Sequence, residues 1–413
     1  MSIKTQRLVT RAKKLVKKGN TEEAKKLYSM ILKDSPQNQE AKLGLLALKD
    51  LKVNKEPPQA NIQSIVALYS SGKIQEALVD IEALVKDFPN SPILYNIRAS
   101  CYKANGQMDA SIKDYEKAVT LKPDYAEAYY NLGITLRELG QIEAALKSYE
   151  KALAIKHEYP EAHNNLGSVL LDLGSLDSAT DHLEWALAFK PNFPEAHNNL
   201  GVVERKLEKL DKAIKSFKKA IDIQPNYVQA HSNLGNILQD IGQLDAAMNC
   251  YKNALAINPN HTQCYLDIGL IHKERGQIDN AIEFFEKALA INPDHAVTYD
   301  NLSDIKKYTI SKKQITKMQS LLSSNRLSPS DRRHLCFALA KVNENLDNQN
   351  ELFKYLHEAN SLRKEELNYS LDRSKTLFLN VKEIFSAPYP DIEKSLSSEP
   401  STFKPIFIVG MPR

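Results

Sequence analysis

The chain has 413 residues, of which 26% are charged and 42% hydrophobic, a balance that excludes both a disordered chain and a membrane-embedded one. Only 14 residues are glycine, which favours helix and disfavours a turn-rich sandwich or barrel. The net charge is +4, but residues 1–60 hold 14 Lys and Arg against 6 Asp and Glu. This basic segment either attracts a phosphate-rich partner or forms the exposed face of a first helix pair.

Several broad classes of function are disfavoured by the same composition. The sequence has no long basic stripe with interleaved aromatic residues, so we expect no nucleic-acid partner. No apolar run approaches the ~18 residues that a membrane span needs, and the basic start lacks the apolar region of a secretory signal. Four scattered cysteines without a CxxC pair argue against a disulfide framework or a zinc site. We expect a cytoplasmic protein, and the Lys-, Ile- and Asn-rich composition is compatible with a bacterial one.

The first predicted elements are an irregular helix pair at 5–38 and a helix at 39–50. Gly19, Ala24, Tyr28 and Pro36 lie in this pair at the positions that later repeats use. The segment KVNKEPPQAN (52–61) then interrupts the pattern, and we interpret it as a loop or hinge.

A period of 34 residues governs residues 58–295 in seven units without gaps. Glycines recur at this spacing in two rows, and prolines in a third, with Glu208 and His157 as exceptions. The rows are Gly133, Gly167, Gly201, Gly235 and Gly269; Gly72, Gly106, Gly140, Gly174, Gly242 and Gly276; and Pro89, Pro123, Pro191, Pro225, Pro259 and Pro293.

Each unit is predicted to be a pair of helices, as in AEAYYNLGITLREL (126–139) followed by QIEAALKSYEKALAI (141–155). Gly140 between them supplies the left-handed residue that ends a helix. Gly133 lies inside the first helix, where glycine costs about 1 kcal/mol relative to alanine. Its repetition therefore predicts close contact with the second helix.

This helix–turn–helix pattern resembles the tetratricopeptide repeat, with its Leu-Gly, later Ala, aromatic residue and Pro. The resemblance implies an all-α, right-handed superhelical solenoid. We divide the chain into a degenerate N-terminal unit and helix (1–51), a linker (52–61), a repeat array with a capping helix (62–310), a helical spacer (311–385), a second linker (386–404) and a final stub (405–413). Within these regions, 296–309 is predicted as a first helix that loses register, 330–367 as a degenerate helix pair and 368–385 as an amphipathic helix.

One row of polar residues is predicted to line the inner face of the array. It consists of Asn131, Asn165, Asn199, Asn233, Asp267 and Asn301. An asparagine amide both donates and accepts hydrogen bonds, so such a row can hold the backbone of an extended peptide. The row resembles the peptide-holding groove of O-linked N-acetylglucosamine transferases. The alternative is that asparagine simply serves local packing in this repeat.

Two further features admit a functional and a structural interpretation. His163, His197 and His231 also recur every 34 residues, but helices packed 8–10 Å apart cannot bring them onto one zinc ion. Tyrosine fills the same position in other repeats, which favours aromatic packing, and we expect no metal site. Trp185 stands where other repeats carry Lys151, Lys219 or Asn253, and is either an exposed surface residue or a partner contact.

The final residues, PIFIVGMPR (405–413), combine a short apolar run with a glycine turn and a basic residue. This pattern is typical of a buried strand that leads into a phosphate-binding loop. It resembles the opening of the 5′-phosphosulfate loop of sulfotransferases, and the whole chain is similar to bacterial tetratricopeptide-repeat sulfotransferases. The resemblance implies that Gly410, Met411, Pro412 and Arg413 begin a site for the cofactor PAPS.

These features leave three hypotheses. In the first, the chain is the N-terminal part of a PAPS-dependent sulfotransferase, whose repeats present an extended peptide, protein or acceptor to a catalytic domain beyond Arg413. The chain itself would then bind no cofactor and transfer no sulfate. In the second, the chain is a stand-alone adaptor that assembles complexes. In the third, it is the repeat region of a glycosyltransferase, although the ending of the chain argues against that.

Overall fold

A computed structural model describes residues 3–18, 20–53, 56–305, 308–324, 327–369, 375–376 and 378–380 of the chain. These residues form two compact units, one within Met1–Pro259 and one within Asn260–Arg413. No strand occurs among the described residues. The predicted linker at 386–404 and the stub at 405–413 lie outside them, as does Gly19 and much of the predicted helix at 368–385.

The first unit is a succession of helices joined by short turns. They are α1 (Ile3–Lys17), α2 (Thr21–Asp34), α3 (Gln39–Val53), α4 (Gln59–Ser70), α5 (Ile74–Asp87), α6 (Pro92–Ala104), α7 (Met108–Leu121), α8 (Ala126–Glu138), α9 (Ile142–Ile155), α10 (Pro160–Asp172), α11 (Leu176–Phe189), α12 (Pro194–Lys206), α13 (Leu210–Ile223), α14 (Val228–Asp240) and α15 (Leu244–Ile257). The predicted helices at 126–139 and 141–155 are confirmed as α8 and α9.

From α4 to α15 the helices are arranged as stacked pairs, which confirms the predicted all-helical repeat fold. Each even-numbered helix is the first of its pair and packs against the odd-numbered helix that follows. Each second helix also packs against the first helix of the next pair. First helices of neighbouring pairs contact one another as well, as α10 does α12 and α12 does α14. The first helices therefore form a continuous surface, here called the first-helix face.

The glycine inside each first helix is needed for this packing. A Cβ atom placed on Gly133 would lie 2.7 Å from the Tyr149 ring, and one on Gly201 would lie 2.7 Å from the Phe217 ring. Real Cβ atoms do not approach a ring so closely, so a side chain here would force the two helices apart. The close contact predicted from the sequence is confirmed.

The turn inside each pair uses a left-handed residue. Gly140 has φ of +74°, and Glu208 takes the same conformation at +59° in the repeat that lacks glycine there. A residue with a Cβ atom adopts this conformation only at a cost of about 1–2 kcal/mol. The α12–α13 turn thus keeps its geometry despite an unfavourable residue.

The regular array begins at α4. In the repeats from α8 to α16 the third and seventh residues of the first helix are buried and apolar, as Ala128 and Leu132 are. In α4 the equivalent residues, Ala60 and Ser64, are exposed, and one of them is polar. The core of α1–α3, around Tyr28 and Ile31, is separate from the core that α4–α6 share. Helices α3 and α4 also extend into both ends of the segment predicted as the 52–61 linker.

The second unit contains α16 (Thr262–Glu274), α17 (Ile278–Ile291), α18 (Ala296–Ser303), α19 (Lys312–Ser323), α20 (Pro329–Asn345) and α21 (Gln349–Glu366). Helix α18 is shorter than the predicted 296–309 and packs mainly against α20, not against the helix that follows it. The predicted helix pair at 330–367 is confirmed as α20 and α21. No helix in the described ranges combines the length and the apolar character that crossing a bilayer requires.

Candidate peptide-binding face

Four members of the predicted asparagine row lie on the first-helix face of the first unit. Asn131, Asn165, Asn199 and Asn233 occupy the sixth position of α8, α10, α12 and α14, and each is half-buried. The row therefore runs across four consecutive repeats on the surface where neighbouring first helices meet.

Each of these amides links its helix to the preceding first helix. Asn199 Nδ2 donates to Asn164 Oδ1 at 2.9 Å, and Asn233 Nδ2 donates to Asn198 Oδ1 at 2.9 Å. The other two links are equivalent, from Asn131 Nδ2 to Asn96 Oδ1 and from Asn165 Nδ2 to the Tyr130 hydroxyl, both at 3.2 Å. The row thus joins adjacent repeats side by side.

The acceptors form a second polar row that the sequence analysis missed. Its members stand one position before the asparagine row: Asn96, Tyr130, Asn164 and Asn198. A polar residue every 34 positions was the available signal, but the identity of the residue changes at Tyr130, which hid the row.

The linked asparagines keep part of their hydrogen-bonding capacity. A primary amide has two N–H donors and a carbonyl oxygen that can accept twice. Within the described residues, Oδ1 of Asn131, Asn199 and Asn233 accepts no hydrogen bond, whereas Oδ1 of Asn165 accepts from Asn164 Nδ2 at 3.3 Å. The row can therefore serve repeat packing and still offer acceptors to a ligand.

The last two members of the predicted row lie in the second unit and are bonded differently. Asp267 is buried and accepts from Gln263 Nε2 at 2.8 Å. Asn301 Nδ2 donates to the Val297 carbonyl at 3.0 Å within its own helix, and its Oδ1 accepts from Lys273 Nζ at 3.3 Å. The amide links described above are those of the four asparagines of the first unit.

Ion pairs run parallel to the asparagine row near the last turn of the first helices. Each joins a basic residue to an acidic residue 35 positions later. The pairs are Lys103–Glu138 at 2.7 Å, Arg137–Asp172 at 2.9 Å and Arg205–Asp240 at 2.7 Å. Their side chains are about a quarter to a half exposed, so each adds ~1 kcal/mol at most, but together they fix the spacing of the helices.

The recurring histidines have a structural role that the sequence only partly revealed. His197 Nε2 bonds the Pro191 carbonyl oxygen at 3.0 Å, and His231 Nε2 bonds that of Pro225 at 2.9 Å. Tyr95 and Tyr299 make the equivalent bond, donating to Pro89 and Pro293 at 3.0 Å. A shared bond to the carbonyl six residues earlier explains why tyrosine and histidine exchange at this position. No three His, Cys, Asp or Glu side chains in the described ranges are placed to hold a metal ion.

His163 lies deepest of the three, at 2% exposure. Its Nε2 bonds the His157 carbonyl at 3.1 Å, and its Nδ1 lies 3.0 Å from Nδ1 of His182. Burial lowers the pKa of His163 to about 4, and burial also lowers the pKa of His182. Both rings are therefore neutral at pH 7, one as donor and the other as acceptor.

Trp185 lies on α11 beside these histidines and is 48% exposed. Its ring stacks on Phe189 with centroids 5.7 Å apart, and the His157 ring meets it edge-on at 5.3 Å. The indole is thus held in place while half of it faces solvent.

Models of known protein families match the part of the chain that forms these helix pairs. A family model described as "TPR repeat" matches residues 99–136, 135–174 and 201–242, and a second, "Tetratricopeptide repeat", matches residues 227–294.

Residues 99–174 and 201–294 contain tetratricopeptide repeats.

One relative of known sequence matches about a quarter of the chain. A protein of Aquifex aeolicus (strain VF5), named "Uncharacterized protein", is 31% identical over 111 residues. The match covers 27% of this chain and 14% of that relative, so the chain spans only a small part of the relative's length.

One solved structure shares the fold of the repeats, and others match shorter parts of the chain. The APC/C hetero-tetramer Cut9–Hcn1 matches at a TM-score of 0.52 and 19% identity, over 72% of this chain and 55% of that one. YrrB, described as a TPR protein with an unusual peptide-binding site, matches at a TM-score of 0.36 and 26% identity, over 45% and 95% of the two chains. MamA matches at 0.36 and 27%, over 40% and 96%.

Proposed function

We propose that the first-helix face of the first unit binds an extended segment of a partner protein. The observation that carries this proposal is the row of half-buried amides, Asn131, Asn165, Asn199 and Asn233, which retains unused carbonyl acceptors. The backbone of an extended peptide presents N–H donors that such acceptors satisfy. The protein is then a scaffold, and the repeats are its binding surface.

The surface around the row suits such a segment. Ile134 and Val202 lie three positions after the asparagine in their helices, alternating with Ser168 and Asn236, and all four are half-buried. Apolar and polar contacts therefore alternate along the face, so that it can accept side chains of both kinds. The inter-helix links hold this surface in one conformation, which reduces the entropy lost on binding.

The test is a variant with Asn165, Asn199 and Asn233 replaced by alanine, probed with an array of unstructured 15-residue peptides. We expect binding to weaken at least about tenfold, because each amide that a ligand uses contributes about 0.5–1.5 kcal/mol. The matched control replaces Asn249 and Asn253, which are exposed on α15. Equal peptide binding by both variants, with helical content retained in the triple variant, would contradict the proposal.

We further propose that the repeats serve a PAPS-dependent sulfotransferase. The supporting observation is the sequence IFIVGMPR (406–413), whose Gly410, Met411, Pro412 and Arg413 match the start of a phosphosulfate loop. These residues lie outside the described part of the chain, and we derive no step of sulfate transfer from them. The coding sequence beyond Arg413 tests the proposal. A frame that continues into Ser-Gly-Thr-Thr supports it, whereas a stop codon favours the stand-alone adaptor.

A further inference from the structure

Two neighbouring second helices of the first unit carry opposite charges on their exposed faces. Helix α11 has Asp177, Asp181 and Glu184 and no lysine or arginine. Helix α13 has four lysines between its terminal aspartates, at positions 212, 215, 218 and 219. All seven of these side chains are exposed.

The two preceding second helices, α7 and α9, lack this separation of charge. Two repeats earlier, the corresponding positions of α7 hold Lys113 and Glu116, and in α9 they hold Lys147 and Glu150. Those helices thus mix both signs on one face, as solvent-exposed helices commonly do. In α11 the pair becomes Asp181 and Glu184, and in α13 it becomes Lys215 and Lys218.

The charged side chains at the centre of the two faces form no ion pair with other described residues. No salt bridge in the described residues includes Asp181, Glu184, Lys215 or Lys218. Trp185 lies beside Glu184 and is fixed by Phe189 and His157. An ordered, half-exposed tryptophan within a charged rim has the composition of an interface centre.

We propose that the α11–α13 surface is the interface of a homodimer formed with a second copy of this chain. A two-fold axis parallel to these helices and midway between them places each α11 opposite the α13 of the second copy. Residues 34 positions apart lie at the same height on their helices. Asp181 then faces Lys215 of the second copy, and Glu184 faces Lys218 of the second copy. Trp185 meets Lys219 of the second copy, in a cation–π contact.

The area of the α11–α13 surface indicates how tightly two copies are expected to bind. Both helices have 14 residues, or about 21 Å, and a helix with its side chains is about 10 Å across, so that two helices side by side present about 400 Å² on each copy. Both copies together bury about 800 Å², which is at the small end for protein interfaces, so we expect a weak dimer. Salt screens such exposed pairs, and we expect 0.5 M NaCl to weaken the dimer about tenfold.

The test is a charge exchange between two variants of the full chain, measured by sedimentation up to about 500 µM. The first variant carries Asp181→Lys and Glu184→Lys, and the second carries Lys215→Glu and Lys218→Glu. Each alone brings like charges together at the interface, and we expect each to be monomeric. Their mixture restores every opposite-charge contact and is expected to dimerise like the unaltered chain. The matched control, Lys113→Glu with Lys117→Glu on α7, should dimerise normally.

Trp185 provides an independent readout because it is the only tryptophan in the chain. We expect its emission to shift to shorter wavelength as the unaltered chain is concentrated, and to stay constant for either charge variant alone. An unaltered chain that remains monomeric at the highest concentration would overturn the proposal. A dimer that persists in both single variants, or a mixture of the variants that stays monomeric, would overturn it too. Neither result bears on peptide binding at the first-helix face, which lies on other helices.

Discussion

At the scale of single residues, His163 makes folding sensitive to pH. Its folded-state pKa is lowered to about 4, whereas an unfolded histidine takes up its proton near 6.5. Between these values the unfolded chain binds more protons, so that the free energy of unfolding falls as the pH decreases through this range. We expect a loss on the order of 2–3 kcal/mol between pH 7 and pH 4 from this group.

The variant His163→Tyr checks this prediction by urea unfolding at a series of pH values. Tyrosine can donate to the His157 carbonyl as Tyr95 does to Pro89, so the repeat keeps its bond but loses the titration. We expect a flatter stability profile between pH 4 and 7, with a remaining slope from His182. His357→Tyr, at an exposed position on α21, is the control for the substitution itself, and its free energy of unfolding at pH 7 should match that of the unaltered chain within about 0.5 kcal/mol. An identical slope in the His163 variant would contradict the assignment.

The residue scale also shows how far the sequence could predict the site. The 34-residue period placed Asn165 and Asn199 on first helices, because the period alone determines which residues share a face. It could not show that their Nδ2 atoms bond to Tyr130 and Asn164, because that depends on the distance between neighbouring helices. The same holds for His197: its packing was predictable, but its bond to Pro191 was not.

At the scale of helix pairs, one partly buried ion pair holds α6 to α7. Arg98 Nε and Nη2 donate to the two oxygens of Asp114 at 2.5 and 2.7 Å, and both side chains are less than a fifth exposed. The carboxylate also raises the pKa of Arg98 through this hydrogen bond. Replacing Arg98 by methionine leaves Asp114 as an unpaired carboxylate with little access to water.

We expect Arg98→Met to lower the free energy of unfolding by about 3 kcal/mol. The Asp114 carboxylate would remain buried without a positive partner to offset the cost of removing it from water. Chemical denaturation measures this directly. Arg205→Met is the comparison, because the Arg205–Asp240 pair is 39% and 48% exposed and is expected to contribute at most ~1 kcal/mol. Equal losses in the two variants would contradict the distinction between buried and exposed pairs.

The helix pairs were predictable wherever the glycine and proline rows continue, and less so where these rows end. The start of α19 is visible in the sequence, because Ser311 and Gln314 form a capping box. The sequence does not show that α19 fails to pair with α18. Helix α18 packs instead against α20, more than 25 residues later, and this pairing depends on how the side chains of the two helices fit together. Local patterns fix where helices start, and tertiary contacts decide which helices pair.

At the scale of the whole molecule, the polar start of α4 predicts where the chain can be shortened. A chain that begins at residue 56 loses α1–α3 but keeps the exposed Ala60 and Ser64 as the end of the array. A chain that begins at residue 92 instead uncovers Leu94 and Cys101, which are fully buried against α4 and α5. Repeat arrays need a polar terminal face to stay soluble.

We therefore expect the chain from residue 56 to keep a midpoint of thermal unfolding within about 2 °C of the full chain. The chain from residue 92 should aggregate or bind a dye specific for exposed apolar surface. Scanning calorimetry and dye fluorescence distinguish the two outcomes. If the longer truncation behaves like the shorter one, the array does not begin at α4.

The links between first helices also bear on how the protein acquires its structure. Asn131 reaches back 35 residues to Asn96, and Arg137 reaches forward the same distance to Asp172. Contacts of such short reach close small loops, which keeps the entropic barrier low and the folding rate high. Each hairpin can consequently dock onto its predecessor while the ribosome is still making the next, without waiting for the end of the chain.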